Sequence, residues 1–346
     1  MSISKRFGAV ISGSALLVVA GAGLATADPS GTPTYRQLAG VGSDTTQDVV
    51  NQLAKDVQIS GTPVLGSYDA TGSATIQTQA AAACSINRPN GSGAGRAALL
   101  ASLNANDGCL QFSRSSSLNV AASTPSLTYV PFAKDAVSYA VTTSSGISRN
   151  LNLNDLSAIY HCQASYVGTS SVPASNSANT FDVTPILPQA GSGTRSYWEG
   201  KVGILDSDVV AGTYPCILNG AKNGQTIEEH AGTLVDDKSL APFSIAQYNA
   251  QSNSTIADRR GRTVLGSIGT GTAGGALTNL TYPNLLNTGF NVNRDVYNVI
   301  PTSQIGTAPY STVFVGASSL ICSDTAAILK YGFSLASNCG DTSNHS

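Results

Sequence analysis

Gly40-Val41-Gly42-Ser43-Asp44-Thr45-Thr46 leads straight into Gln47-Asp48-Val49-Val50-Asn51-Gln52-Leu53-Ala54-Lys55-Asp56-Val57, and the reading of this junction decides the fold. Tyr35 to Val41 is apolar enough for a strand that ends at Gly40-x-Gly42. From Asp44 to Val57 the period changes, with Val49, Val50, Leu53 and Val57 on one side of a helix. A strand entering a helix through a glycine turn directs unpaired backbone N–H groups at one point, where an anion is favoured. Ser43 and Thr45 add hydroxyl donors there.

Two further segments have the same character, Phe112-Ser113-Arg114-Ser115-Ser116-Ser117 and Gly191-Ser192-Gly193-Thr194-Arg195. Arginine contributes a planar fork that fits a tetrahedral oxyanion. Three such elements far apart in the chain imply one anion held between two lobes.

The N-terminus reads as a secretory signal peptide over residues 1–27. Lys5 and Arg6 precede the apolar Ala9–Leu24, and Ala25-Thr26-Ala27 supplies small residues for cleavage after Ala27. The expected product is therefore secreted, extracellular or periplasmic, with no membrane span after cleavage. No cysteine at the cleavage site suggests a lipid anchor. Cleavage removes two of the 18 basic side chains and none of the 20 acidic ones, leaving a net charge of −4. Nucleic acid and anionic membrane, which call for a basic surface, are excluded as main partners. An anion would have to be captured by local geometry.

Six cysteines in a secreted chain are consistent with three disulfides. Sequence proximity favours Cys84–Cys109, Cys162–Cys216 and Cys322–Cys339 among the possible pairings. No metal site is expected, since no Cys-x-x-Cys occurs and His161, His230 and His345 do not cluster along the chain. No cofactor is implied. A chain of 346 residues less 27 exceeds what one core usually serves, so two lobes are expected.

Along the chain, residues 28–34 form a Pro/Gly-rich lead-in, and Thr62–Leu65 and Leu110–Phe112 read as short strands. Helices are expected over Arg96–Leu103, Leu153–Tyr160, Ser196–Val202 and Asp324–Ser337. Leu127–Val141 is a long apolar β segment with an internal proline, suited to connecting two lobes. Thr184–Pro188 and Asp295–Ile300 are further strands, Gly269–Gly275 is a loop, and Ala241–Tyr248 is a return crossing. The alternation implies an α/β protein with mostly parallel sheets.

Four segments in order, Gly40–Thr45, Asn90–Gly95, Phe112–Ser116 and Gly191–Thr194, resemble the turns that surround phosphate in the phosphate-binding proteins of ABC importers, within the type II periplasmic substrate-binding superfamily. The resemblance runs over roughly residues 35–340 and is sharp only at these turns. It implies a two-lobed fold with two hinge crossings, lobe I holding 33–130 and 246–346 and lobe II 131–245. It also implies a monomer that captures inorganic phosphate, or a similar tetrahedral oxyanion, and delivers it to an ABC permease. The implied ligand set is Ser43, Asp44, Thr45, Ser92, Arg114, Ser115, Ser192, Gly193, Thr194 and Arg195.

Two departures bear on selectivity. Ser116 stands where the family has an aspartate that accepts the phosphate proton, and Pro188 stands where it usually has an arginine. Asp44 is the candidate replacement acceptor, since a carboxylate accepts phosphate's O–H and repels sulfate. Helix capping is the alternative role for Asp44, as it is for Ser43 and Thr45. Trp198 and Tyr248 are expected to pack rather than recognise a ligand.

A secreted hydrolase is the main rival class. It would need a Gly-x-Ser-x-Gly elbow and a histidine base, and the elbow is absent. His161 precedes a cysteine and His230 follows Glu228-Glu229 in a polar run, so both read as surface residues. A binding fold retained as a scaffold without a phosphate ligand is the other alternative.

Overall fold

Strand β1 (Leu38–Gly42) is buried at all five positions because it has a parallel neighbour on each side, β2 (Leu65–Ser67) and β3 (Phe112–Ser115). Gly40 is required here. The Phe112 ring lies where its side chain would stand. The computed structural model describes residues 28–29, 34–163, 183–269 and 292–346, with short strands at 176–177, 180–181, 280–281 and 285–286. The expected signal peptide, its cleavage point and most of the Gly269–Gly275 loop lie outside the described residues.

The remaining strands of the main sheet are β4 (Leu127–Thr142), β5 (Thr184–Leu187), β6 (Leu218–Asn219), β7 (Ser239–Ser244), β8 (Thr263–Leu265), β9 (Asn293–Pro301) and β10 (Ser334–Leu335). Their order is β6-β5-β7-β4-β9-β3-β1-β2, with β8 and β10 also paired to β4. The flanks are parallel, and β4 and β9 at the centre are antiparallel to each other. Helix α1 (Gln47–Asp56) follows β1, α2 (Ser92–Ala105) precedes β3, and α3 (Leu153–Tyr160), α4 (Gly193–Val202) and α5 (Ile245–Ser252) follow later in the chain. Helix α3 starts on a capping box, Asn152 with Asp155.

At 16 residues, β4 extends about 50 Å and joins the two lobes. Its first half, through Val130, Phe132 and Ala133, packs into one core with Leu38, Phe112 and Phe314. Its second half, from Ala136 to Val141, packs into another with Tyr160, Trp198 and Phe243. The long β segment expected from sequence is present and contributes to both cores. Strands β9 and β10 pair with residues 127–136 of β4, whereas β7 and β8 pair with residues 137–142. Residues 267–269 pair with 150–152. Residues 263–269 thus pair beside the second half of β4 and its continuation, and the chain is back beside the first half of β4 by residue 293.

The three expected disulfides are present, Cys84–Cys109, Cys162–Cys216 and Cys322–Cys339. Trp198 is fully buried and packs edge-on against Tyr160. The terminal helix is shorter than expected. It covers Thr325–Lys330 because Gly332 takes φ +83° beside the Ala246 carbonyl, and β10 follows.

Asp135 stands where the two cores meet on β4, with no exposed surface. Its Oδ1 accepts from the Ser244 hydroxyl and the Ala246 N–H, both at 3.0 Å. Its Oδ2 accepts from Arg294 Nη2 at 2.8 Å and Nε at 3.2 Å. One carboxylate therefore ties β4, the β7–α5 junction and β9. Replacing Asp135 with Ala leaves Arg294 buried without a counter-charge, and a loss of about 3–5 kcal/mol is expected on chemical denaturation. The Asp135→Ala/Arg294→Met double variant should lose less than the two single losses combined.

Candidate functional site

The glycine turns converge. Gly93 N donates to the Gly191 carbonyl at 2.9 Å and Gly91 N to that of Gly42 at 3.3 Å, so the β1–α1, α2 and β5–α4 turns meet. Gly91, at φ +97°, admits the Gly191 carbonyl where a side chain would lie, and a side chain at Gly193 would overlap the Ser92 and Ser116 hydroxyls. The N-termini of α2 and α4 thus face the same small volume, favouring negative charge.

Five hydroxyls line it. Thr45 Oγ1 lies 3.3 Å from Thr194 Oγ1 and 3.4 Å from Ser116 Oγ. Ser92 Oγ lies 3.4 Å from Ser116 Oγ and accepts from Ser116 N at 3.0 Å. Ser192 caps α4, its Oγ accepting from Arg195 N at 3.0 Å. All five residues are buried. Arg294 Nη2 donates to Thr194 Oγ1 at 2.7 Å, while its buried Nη1 has no hydrogen-bond partner among the described residues.

A carboxylate is held between these donors. Glu229 Oε1 accepts from Thr45 Oγ1 at 2.7 Å and Oε2 from Ser192 Oγ at 3.1 Å. A hydrogen-bond chain therefore runs from Arg294 through Thr194 and Thr45 to Glu229, each link polarising the next. The residue arrives on the segment after β6. Ser244 N donates to its carbonyl at 3.1 Å, and Gln251 Nε2 donates to the carbonyl of His230 at 2.8 Å. Next to it, Glu228 accepts from Asn90 and Gln189, both at 2.9 Å.

The surface reading of His230 is overturned. Both Glu229 and His230 are buried, because the segment folds across the turns instead of facing solvent. Asp44, Glu228 and His230 bring ligand-type atoms within 4.8 Å of one another, a cluster that chain spacing does not reveal. His230 Nε2 faces Arg259 Nη1 at 3.0 Å. Arginine only donates, so Nε2 accepts and the imidazole proton sits on Nδ1. Nδ1 lies 3.3 Å from Asp44 Oδ2, without forming a hydrogen bond to it. A protonated Nδ1 offers no lone pair, so these three groups do not fit a metal in this arrangement.

Electrostatics divides the three acids. Burial, then the charge of Glu229, pushes Asp44 from 3.8 up to about 8. Burial, then Asp44, pushes Glu228 from 4.5 up to about 9. Burial alone would also raise Glu229, but its interactions with Asp44 and the Thr45 hydroxyl outweigh it and hold the carboxyl below its ordinary value. Near neutrality the cluster therefore carries one negative charge, on Glu229, with Asp44 and Glu228 protonated.

The other expected ligands divide sharply. Thr45, Ser92, Ser192, Gly193 and Thr194 come together. Asp44 adjoins them but faces Glu228, Glu229 and His230, and its side chain makes no helix-capping bond. Ser43 is buried with its hydroxyl unpartnered among the described residues. Arg114 is turned away, donating to the Ser43 and Gly42 carbonyls and to Ser67 Oγ. Arg195 is likewise engaged by Glu199, Asp206, Asn219 and the Pro188 carbonyl. Ser115 donates to the Ser117 carbonyl and lines a cavity of about 150 Å³ beside the turns. Ser116 takes the place expected for Ser115. The missed residues are Arg294, Ser116 and Glu229.

The fold matches that of a structure with bound phosphate assigned as a phosphate ABC transporter substrate-binding protein of Clostridium perfringens, at 14% identity and a TM-score of 0.52, over 86% of this chain and 99% of that one. It also matches an ABC-type phosphate transport receptor of Vibrio cholerae, at 16% identity and a TM-score of 0.50, over 86% of this chain and 100% of that one. The shared fold is the two-lobed α/β architecture. No protein-family model and no curated protein matches the chain. No described helix is long and apolar enough to cross a membrane.

The acid cluster sets a pH dependence. Acids whose folded pKa lies above the unfolded value keep extra protons in the folded state, so stability falls as pH rises between the two values. For Asp44 and Glu228 that window runs from about pH 4 to about pH 9. Glu229 acts in the opposite sense, and only under acid conditions. The expected outcome is a denaturation midpoint that declines from pH 5 to pH 9, with a shallower decline in Asp44→Asn. A flat profile in the unmodified protein contradicts this charge assignment.

Proposed function

We propose that this chain is a secreted solute-binding protein that captures inorganic phosphate, or a similar tetrahedral oxyanion, between its lobes for uptake through an ABC-type permease. The observation that carries the reading is the set of five hydroxyls, two helix N-termini and Arg294 converging on one site already shaped to hold an anion, Glu229. The Clostridium and Vibrio structures, one with bound phosphate, support it through the shared fold. The proposed mature chain begins after Ala27, and three disulfides suit an oxidising compartment. The proposed lobes divide at Asp135, the first holding the chain before it and the residues from 292 onward.

The mechanism is capture without covalent chemistry. Contacts from both lobes favour the closed arrangement once the anion is bound, a shift in population between open and closed forms. A hydrolytic role is not favoured. The histidine nearest the cradle faces Asp44 and Arg259, so among the described residues no cradle serine has an imidazole base.

Calorimetric titration of ligand-stripped protein with phosphate and with sulfate tests the reading. Saturable phosphate binding is expected, and Ser116→Ala, which removes one hydroxyl, should weaken it by about three- to tenfold. Absence of heat and of thermal stabilisation with either anion would overturn oxyanion capture and leave a scaffold role.

A further inference from the structure

The hydroxyl-lined volume contains a carboxylate of this chain itself, Glu229, and its attachments say how it is used. Glu229 bridges the lobes. Thr45, after β1, holds one oxygen, and Ser192, before α4, holds the other. Those two hydroxyls stand 147 positions apart in sequence, and an oxyanion bound between the lobes would require both. Each hydroxyl has a single proton. While Glu229 receives them, neither is available to another anion.

We propose that Glu229 is a tethered competitor: its carboxylate occupies the oxyanion cradle and must be displaced for a ligand to bind, which makes it the residue that selects among anions. The inference rests on the oxyanion-capture reading of the same site. An entering anion has to exceed what Thr45 and Ser192 already give a carboxylate. Arg294, which already reaches Thr194 in the cradle, supplies the means, since its buried Nη1 has no hydrogen-bond partner among the described residues. A tetrahedral oxyanion with several acceptor oxygens and a charge near −2 gains from this extra donor. Chloride and simple carboxylates replace Glu229 like for like and gain nothing over a group already present at high effective concentration.

The leash permits displacement. The backbone of Glu229 is fixed through Ser244, so the side chain alone has to rotate out. Glu228, held by Asn90 and Gln189, is not in the hydroxyl ring and stays as the neighbouring wall. Occupancy by Glu229 lowers the apparent affinity by the fraction of molecules whose cradle is free.

The test compares unmodified protein, Glu229→Gln and Glu229→Ala, all shown folded by circular dichroism, in titrations with inorganic phosphate and with acetate. Both variants are expected to bind phosphate about tenfold or more tightly than the unmodified chain, and acetate should raise the Tm of Glu229→Ala but not of the unmodified protein. Two variants of different size guard against loss of fold in one. Phosphate binding that is unchanged or weaker in Glu229→Gln overturns the competitor role while leaving oxyanion capture intact. Acetate stabilisation confined to Glu229→Ala, with no phosphate binding in any form, would preserve the competitor and reject phosphate as ligand. Absence of both responses overturns both.

Discussion

The buried pair of Asp135 and Arg294 is the constraint on which the rest of the structure depends. A carboxylate with no exposed surface is tolerable only if its charge and lone pairs are met. Here they are met by two separate segments, the β7–α5 junction at Ser244 and Ala246, and β9 at Arg294. The same guanidinium reaches past Asp135 to Thr194, so the point joining the lobes is also the point from which positive charge enters the cradle. The proposed hinge and the site are thus linked through one guanidinium. A shift of β9 against β4 would move the cation relative to the α4 turn.

The cradle combines features that conflict in isolation. Three acids in one buried region would repel one another if all were ionised. Protons on Asp44 and Glu228 leave a single charge, and that charge lies where hydroxyls and helix N-termini favour it. Arg259 fixes the His230 proton on Nδ1, which removes the imidazole as a base or metal ligand in this arrangement. This arrangement supports the proposed anion capture.

Much of this was legible in the sequence. The glycine turns at Gly40–Gly42 and Gly191–Gly193 require close backbone approach, and only glycine supplies it, so their meaning survives without tertiary context. The Leu127–Val141 run announced a connector by its length, and disulfide pairing followed chain proximity. What escaped depends on contacts between distant residues. Glu228-Glu229-His230 looks like any solvated run until Thr45, 184 positions away, is placed against it. Arg294 belongs to no motif, and its role arises from strand pairing with β4. Arg114 and Arg195 sit in suggestive motifs, yet backbone carbonyls and neighbouring acids absorb them. Ser115 and Ser116 differ by one position at a strand end, and one residue reverses the face a side chain presents.

The central claim is that this hydroxyl cradle is an oxyanion site in which a bound ligand and Glu229 exclude each other. The most direct measurement is a crystal structure of the mature protein grown in phosphate. The account expects a tetrahedral anion within hydrogen-bond distance of Thr45, Ser192 and Arg294, with the Glu229 carboxylate rotated away from both hydroxyls. Phosphate density elsewhere, with Glu229 still bridging Thr45 and Ser192, would contradict it.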